Sequence, residues 1–158
     1  DIEKKTTTTL KTLNTESVRL IGAYGDALFY NMYDAVKKNN VVTGGEMKMY
    51  LYDLKNGTTY TLGSGKTEAA IWNGNIFVCD GDGNAELREL RDPTVVTKAF
   101  KLPYALMSGV NVQTNLVIPV GKNLGFIVDG TAGDSAMAKV ILINSDLNAI
   151  TAITVEQG

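Results

Sequence analysis

GNIFVCDGDGNAELRELRDPTVVTKAFKL, residues 74–102, decides the reading of this chain. Gly74-Asn75 opens it as a turn, and the apolar run Ile76-Phe77-Val78-Cys79 follows. Asp80-Gly81-Asp82-Gly83-Asn84 turns again, into residues 85–90. Asp92-Pro93 makes a third turn, because proline lacks the backbone donor that a central strand needs. Residues 95–102 then return. Short β-favouring runs separated by Gly, Asn, Asp and Pro are the pattern of consecutive antiparallel strands.

Outward from this stretch the layout recurs. Residues 17–24 read as a strand ending at Gly25-Asp26, and residues 27–33 as the next. Residues 34–45 are polar and read as a long loop in which Val41-Val42 pairs briefly. Residues 47–54 alternate Met47, Met49, Leu51 against Lys48, Tyr50, Tyr52, the period of a half-buried strand. Asn56-Gly57 marks a hairpin, and residues 58–62 return. Further on, residues 116–120 turn at Gly121-Lys122-Asn123 into residues 124–128. A Gly-rich turn is expected over 129–135, an apolar strand over 138–143, and a last strand over 149–155. No stretch keeps a convincing 3.6-residue period. Residues 26–38 can be drawn as a helix, but their aromatic and β-favouring content favours a strand.

Three landmark turns, at Gly25, Gly74 and Gly121, lie 49 and 47 residues apart. Each opens a similar strand–turn–strand–turn–strand sequence. A period of 40 to 50 residues with four strands per unit is the mark of propeller blades. The phrase Tyr50-Leu51-Tyr52-Asp53-Leu54-Lys55-Asn56-Gly57-Thr58-Thr59-Tyr60-Thr61-Leu62 resembles the third-to-fourth-strand hairpin of such a blade, and the chain from Ser17 on is similar in pattern to secreted bacterial β-propeller proteins. The expected fold is therefore all-β, with three four-stranded antiparallel blade-like units at about 17–66, 67–104 and 105–158. A β-sandwich is the alternative. Residues 1–16 read as a Thr-rich strand or arm, with residues 6–13 as an orphan strand seeking a partner edge. Three blades do not make an ordinary ring, which leaves a fragment, a ring completed by other copies, a sandwich, or strand exchange with a neighbour.

Composition bounds the function. The chain has 158 residues, 44% hydrophobic and 20% charged, with a net charge of −2. That suits a folded domain with a core and gives no pull toward nucleic acid. No apolar run reaches the length of a membrane-spanning helix. With one cysteine and no histidine, a Cys/His zinc site and a His-dependent triad are both excluded. Cys79, in a strand-like run, reads as a small core residue. Gly63-Ser64-Gly65-Lys66-Thr67 ends like a phosphate-binding loop, but Tyr60 stands where its first glycine belongs.

Two candidate sites emerge. Asp80, Asp82, Asn84 and Glu86 place oxygen ligands at alternate positions, as calcium loops do; Ala85 and Arg91 break the EF-hand pattern, and a tight Asp-Gly turn explains the same residues. Calcium is the one cofactor this pattern offers. Tyr30, Tyr50 and Tyr52 lie on a strand pair whose two faces are not both core, which makes them candidate contact anchors. The expectation is a non-catalytic binding or scaffolding module with contacts through inter-strand loops, or a self-assembling structural subunit. Its partner is another protein or itself. Asp1 at the start implies a removed leader or a longer parent chain, and an extracytoplasmic location accords with one cysteine and a Thr-rich surface.

Overall fold

The computed structural model describes residues 17–102, 111–132 and 135–156. Twelve strands make up the regular structure of those residues: β1 Val18–Tyr24, β2 Ala27–Lys38, β3 Val41–Asp53, β4 Thr58–Ser64, β5 Lys66–Trp72, β6 Asn75–Asp80, β7 Asn84–Glu89, β8 Val96–Lys101, β9 Asn111–Val120, β10 Asn123–Ala132, β11 Ser135–Ile143 and β12 Ala149–Glu156. They form three four-stranded antiparallel sheets, each built of four consecutive strands in sequence order. No helix among the described residues is long and apolar enough to cross a membrane.

The first turn of each sheet falls on the repeat landmark. Tyr24 pairs with Ala27 around Gly25-Asp26. Trp72 pairs with Asn75 around Asn73-Gly74. Val120 pairs with Asn123 around Gly121-Lys122. Asn73 and Gly74 both take positive φ, 47° and 73°, the conformation a two-residue type I′ turn demands. Leu28, Ile76 and Leu124 thus occupy the same place, second in the second strand of each sheet. The chain passes from the first sheet to the second through Gly65 alone, at φ 71°.

The first two strands of the second sheet, β5 and β6, are buried on both faces. Phe29, Met49, Leu51 and Leu62 of the first sheet pack with Ala69, Ile76 and Val78 of the second. Ala70, Trp72, Phe77, Cys79 and Ala85 pack instead with Val117, Leu124, Phe126, Ile141 and Ile143 of the third. Neighbours in β6 therefore serve opposite cores, as the period-two geometry of a strand requires, and the run Ile76–Cys79 is buried throughout because both sides are covered. Cys79 is buried in the second core. The sheets approach each other most closely along their first strands, β1 to β5 and β5 to β9. Tyr24, at the end of β1, touches both cores, and its hydroxyl donates to the Val117 carbonyl of β9 at 3.4 Å.

Two expected loops are strands. Residues 34–45 continue the β2–β3 ladder, with Asp34 opposite Glu46 and Lys38 opposite Val41. The reversal is made by Asn39 and Asn40 alone, at φ 52° and 62°. Residues 129–132 likewise pair with Ser135–Met137 and Ala138 rather than turning. The β2–β3 ribbon is largely exposed beyond Tyr33 and Met47, so its sequence carries polar residues on both faces. Its polarity reads as a loop, while the backbone ladder and the β-branched Val41 and Val42 hold it extended. Asn56-Gly57 also behaves differently from a two-residue turn. Asp53 pairs with Thr58, so the loop has four residues, 54–57, and only Gly57 takes positive φ. The Thr-rich stretch 6–13 lies outside the described residues.

Candidate functional site

Because the strands alternate in direction, one end of the first sheet carries the β1–β2 and β3–β4 turns. The same end of the second sheet carries the β7–β8 connection. Where these three turns meet, a cleft of about 760 Å³ opens between the two sheets, within the size range of small-ligand sites. Its floor is apolar, from Ala27, Leu51, Tyr60 and Ile71. Its rim is polar, from Asp26, Asp53, Lys55, Asn56 and Arg91, with Tyr24, Leu90 and Pro93 completing the wall.

Each wall is held in place. The Asp53 carboxylate accepts from the backbone N–H of Lys55 at 2.9 Å and of Asn56 at 3.1 Å, and from Asn56 Nδ2 at 2.6 Å. These bonds, the Asn56 backbone first, hold its carboxyl below the usual carboxylate range. Leu54 N–H donates to the Asp26 carbonyl at 2.7 Å and so fastens one turn to the other. Across the cleft, Asp92 accepts from the Thr94 hydroxyl at 2.6 Å and its backbone N–H at 3.1 Å. Tyr24 meets Phe29 edge to face, with ring centroids 6.0 Å apart, and burial raises its hydroxyl above its ordinary value.

A buried polar chain runs beneath the cleft. Arg88, 8% exposed, donates to the Pro93 carbonyl at 3.0 Å and to the Leu62 carbonyl at 2.7 Å. It also donates to Glu86 Oε2 at 2.6 and 3.0 Å, while Lys66 Nζ reaches Glu86 Oε1 at 2.7 Å. One guanidinium thus joins β7 to the β7–β8 wall and to the last strand of the first sheet, using the planar fork that only arginine has. Burial pushes the Glu86 carboxyl up, but the bonds and charges of Lys66 and Arg88 more than offset it and leave it below its ordinary value.

Glu68 is a more deeply buried carboxyl, 3% exposed, on the seam between β1 and β5. Arg19 lies 3.3 Å away, and the Glu68 charge is felt by the Tyr24 hydroxyl. Burial pushes the Glu68 carboxyl up to about 7, with Arg19 only partly offsetting it. In the unfolded chain the same group ionises near 4.5. Its contribution to stability is therefore complete below that pH and is lost as pH rises through about 7. Glu68→Gln should flatten stability over that window. It should add about 1–2 kcal/mol at pH 8, a figure reduced for solvent screening on the open side, and little at pH 4.5. Urea melts of both proteins at the two pH values give the comparison.

The four calcium candidates are divided. Asp80, Asp82 and Asn84 sit at the β6–β7 turn, at the end of the second sheet opposite the cleft. There Asp80 accepts from Asn84 N–H at 2.8 Å and from Asn84 Nδ2 at 2.7 Å, and Asn84 Oδ1 accepts from Lys101 at 3.1 Å. Glu86 is committed to Lys66 and Arg88. Among the described residues no group of three or more acidic, Cys or His side chains is spaced to hold a metal. We expect the melting temperature to stay within about 1 °C on adding calcium or a chelator, since only a ligand bound to the native state would move it. A rise with calcium that Asp80→Asn abolishes would instead place an ion on this turn.

Of the tyrosine candidates, Tyr30 and Tyr50 stack with centroids 5.5 Å apart. They lie opposite each other in register, on the face of the first sheet turned away from the second. Tyr52 shares that face, and none of the three lines the cleft. The aromatic residues that do line it are Tyr24 and Tyr60. Their sequence signal was proximity to the turns at residues 25–26 and 54–57, not the aromatic cluster itself.

Fold and site together define an all-β protein of three consecutive four-stranded sheets with a turn-rimmed cleft between the first two. Comparison with family models, curated proteins and solved structures finds no match.

Proposed function

We propose that this chain is a non-catalytic binding or scaffolding module of propeller type, and that its ligand seats in the cleft between the first and second sheets. The observation that carries the reading is the cleft's construction: three inter-strand turns, each braced by its own hydrogen bonds, surround an apolar floor with two tyrosines. Rigid turns on a packed scaffold are where binding residues concentrate. The propeller reading is supported by the equivalent first turns and by the convergence of β1, β5 and β9. The non-catalytic reading is supported by a chain without histidine whose one thiol is buried and by an Asp53 carboxylate spent on its own turn. The mixed rim of Asp26, Lys55, Asn56 and Arg91 suits a polar, hydrogen-bonding ligand with an apolar face, such as a peptide segment or an oligosaccharide.

Peptide and oligosaccharide arrays, followed by titration calorimetry of the hits, test this. A true cleft ligand should lose about tenfold or more in affinity with Tyr60→Ala and with Arg91→Glu, and nothing with Lys98→Ala on the exposed β8 strand. Hits indifferent to Tyr60 and Arg91, or no hits at all, would overturn the proposal.

A further inference from the structure

The two outer sheets each leave one face that, in the middle sheet, is covered. In the second sheet, Ala70, Phe77 and Leu87 lie in one row across β5, β6 and β7, and the third sheet packs on that row. The same row of the third sheet is Ile118, Gly125 and Leu142, flanked by Leu116 and Val120. Leu116, Ile118 and Val120 are 38%, 46% and 47% exposed. Over this part of β9 and β11 the face is apolar, although an antiparallel sheet with a solvated face ordinarily alternates apolar with polar.

The opposite face of the repeat is turned outward once, with Tyr30 and Tyr50 covered at its centre, 3% and 9% exposed, and open apolar residues beside them on β1. Ile76 and Leu124 each face the preceding sheet and are fully buried there. Their equivalent in the first sheet, Leu28, lies on the outer face, between Ala23 and Tyr52 in register. Tyr30 lies in the next row between Leu20 and Tyr50. Leu20 and Val18 are 62% and 46% exposed. One end of the molecule thus presents the face that the middle sheet offers to its successor, and the other end presents the face offered to a predecessor.

We propose that a second copy of this chain docks head to tail, its first sheet covering the outer face of the third sheet as the third covers the second. This rests on the equivalence of the three sheets used above, but not on the cleft. The occupant follows from register: the surface that matches Leu116, Ile118, Val120 and Leu142 is the one that carries Val18, Leu20, Leu28 and Tyr52. The contact is heterologous, so each copy has one donor face and one acceptor face, and association closes into a ring or propagates.

Light scattering on the full chain across a concentration series tests this. Wild type should run as a multiple of 17.0 kDa. Ile118→Glu and Leu20→Glu, both at solvent-exposed positions, should each weaken association by about a hundredfold while keeping the wild-type circular dichroism spectrum. If either glutamate variant loses that spectrum, Ile118→Thr and Leu20→Thr replace it. The decisive result is the mixture. Ile118→Glu retains a sound first sheet and Leu20→Glu a sound third sheet, so equal amounts should form a dimer with one intact junction. A monomeric wild type would overturn the proposal, as would a mixture that stays monomeric. So would a Leu20 variant that still dimerises, because third sheet on third sheet is then the contact. Association surviving Tyr60→Ala and Arg91→Glu separates this inference from the fate of the cleft.

Discussion

Arg88→Met should lower the unfolding free energy by about 3 kcal/mol. The change removes one member of a buried charged group and leaves the others in place. Glu86 keeps Lys66 but loses Arg88, and the carbonyls of Leu62 and Pro93 lose their donor. Breaking a buried pair from one side costs about 3–5 kcal/mol where both charges are fully enclosed. The lower figure applies because Glu86 is 21% exposed on its side chain. Arg88→Met with Glu86→Gln should recover part of the loss, since the unpaired carboxylate is then gone. A double-mutant cycle by urea denaturation measures the coupling. Because Arg88 also holds the Pro93 wall, the single variant should weaken cleft binding. Additive losses would mean that the two side chains act separately.

Phe77→Ala should cost about 3–5 kcal/mol, the range for deleting a buried aromatic ring. Phe77 is fully buried, lies in register between Ala70 and Leu87, and meets Phe100 with ring centroids 6.2 Å apart. It sits where the second and third sheets join, so its loss should fall on that junction. Amide hydrogen exchange should show β9 and β10 losing protection while β2 and β3 keep theirs. A loss below about 1 kcal/mol would show that the junction is not tightly packed there.

How far residues alone foretold this molecule depends on whether the interaction was local. Asn73-Gly74 and Gly25-Asp26 could be placed because a two-residue reversal needs particular backbone angles. The run Ile76-Phe77-Val78-Cys79 could be placed because continuous apolar residues need two covered faces. The ribbon at residues 34–45 was missed because a strand pair outside any core has no face to bury, and so shows no alternation. The cleft was missed for another reason. Tyr24, Tyr60 and Arg91 are far apart in the chain, and meet only because two sheets pack at one angle. Glu86 looked like a ligand beside Asp80, Asp82 and Asn84 by spacing. Its partners, Lys66 and Arg88, come from β5, two strands away, and from its own strand, and spacing does not rank them.

Every described ladder joins strands adjacent in sequence, and the first two sheets are spliced by Gly65 alone. The search each segment makes for its partner is therefore short, which places this chain toward the fast end for an all-β topology. It also makes the sheet a modular inheritance unit. Duplicating or excising four consecutive strands would leave the remaining ladders whole, and selection would then act on whichever terminal surface was newly uncovered.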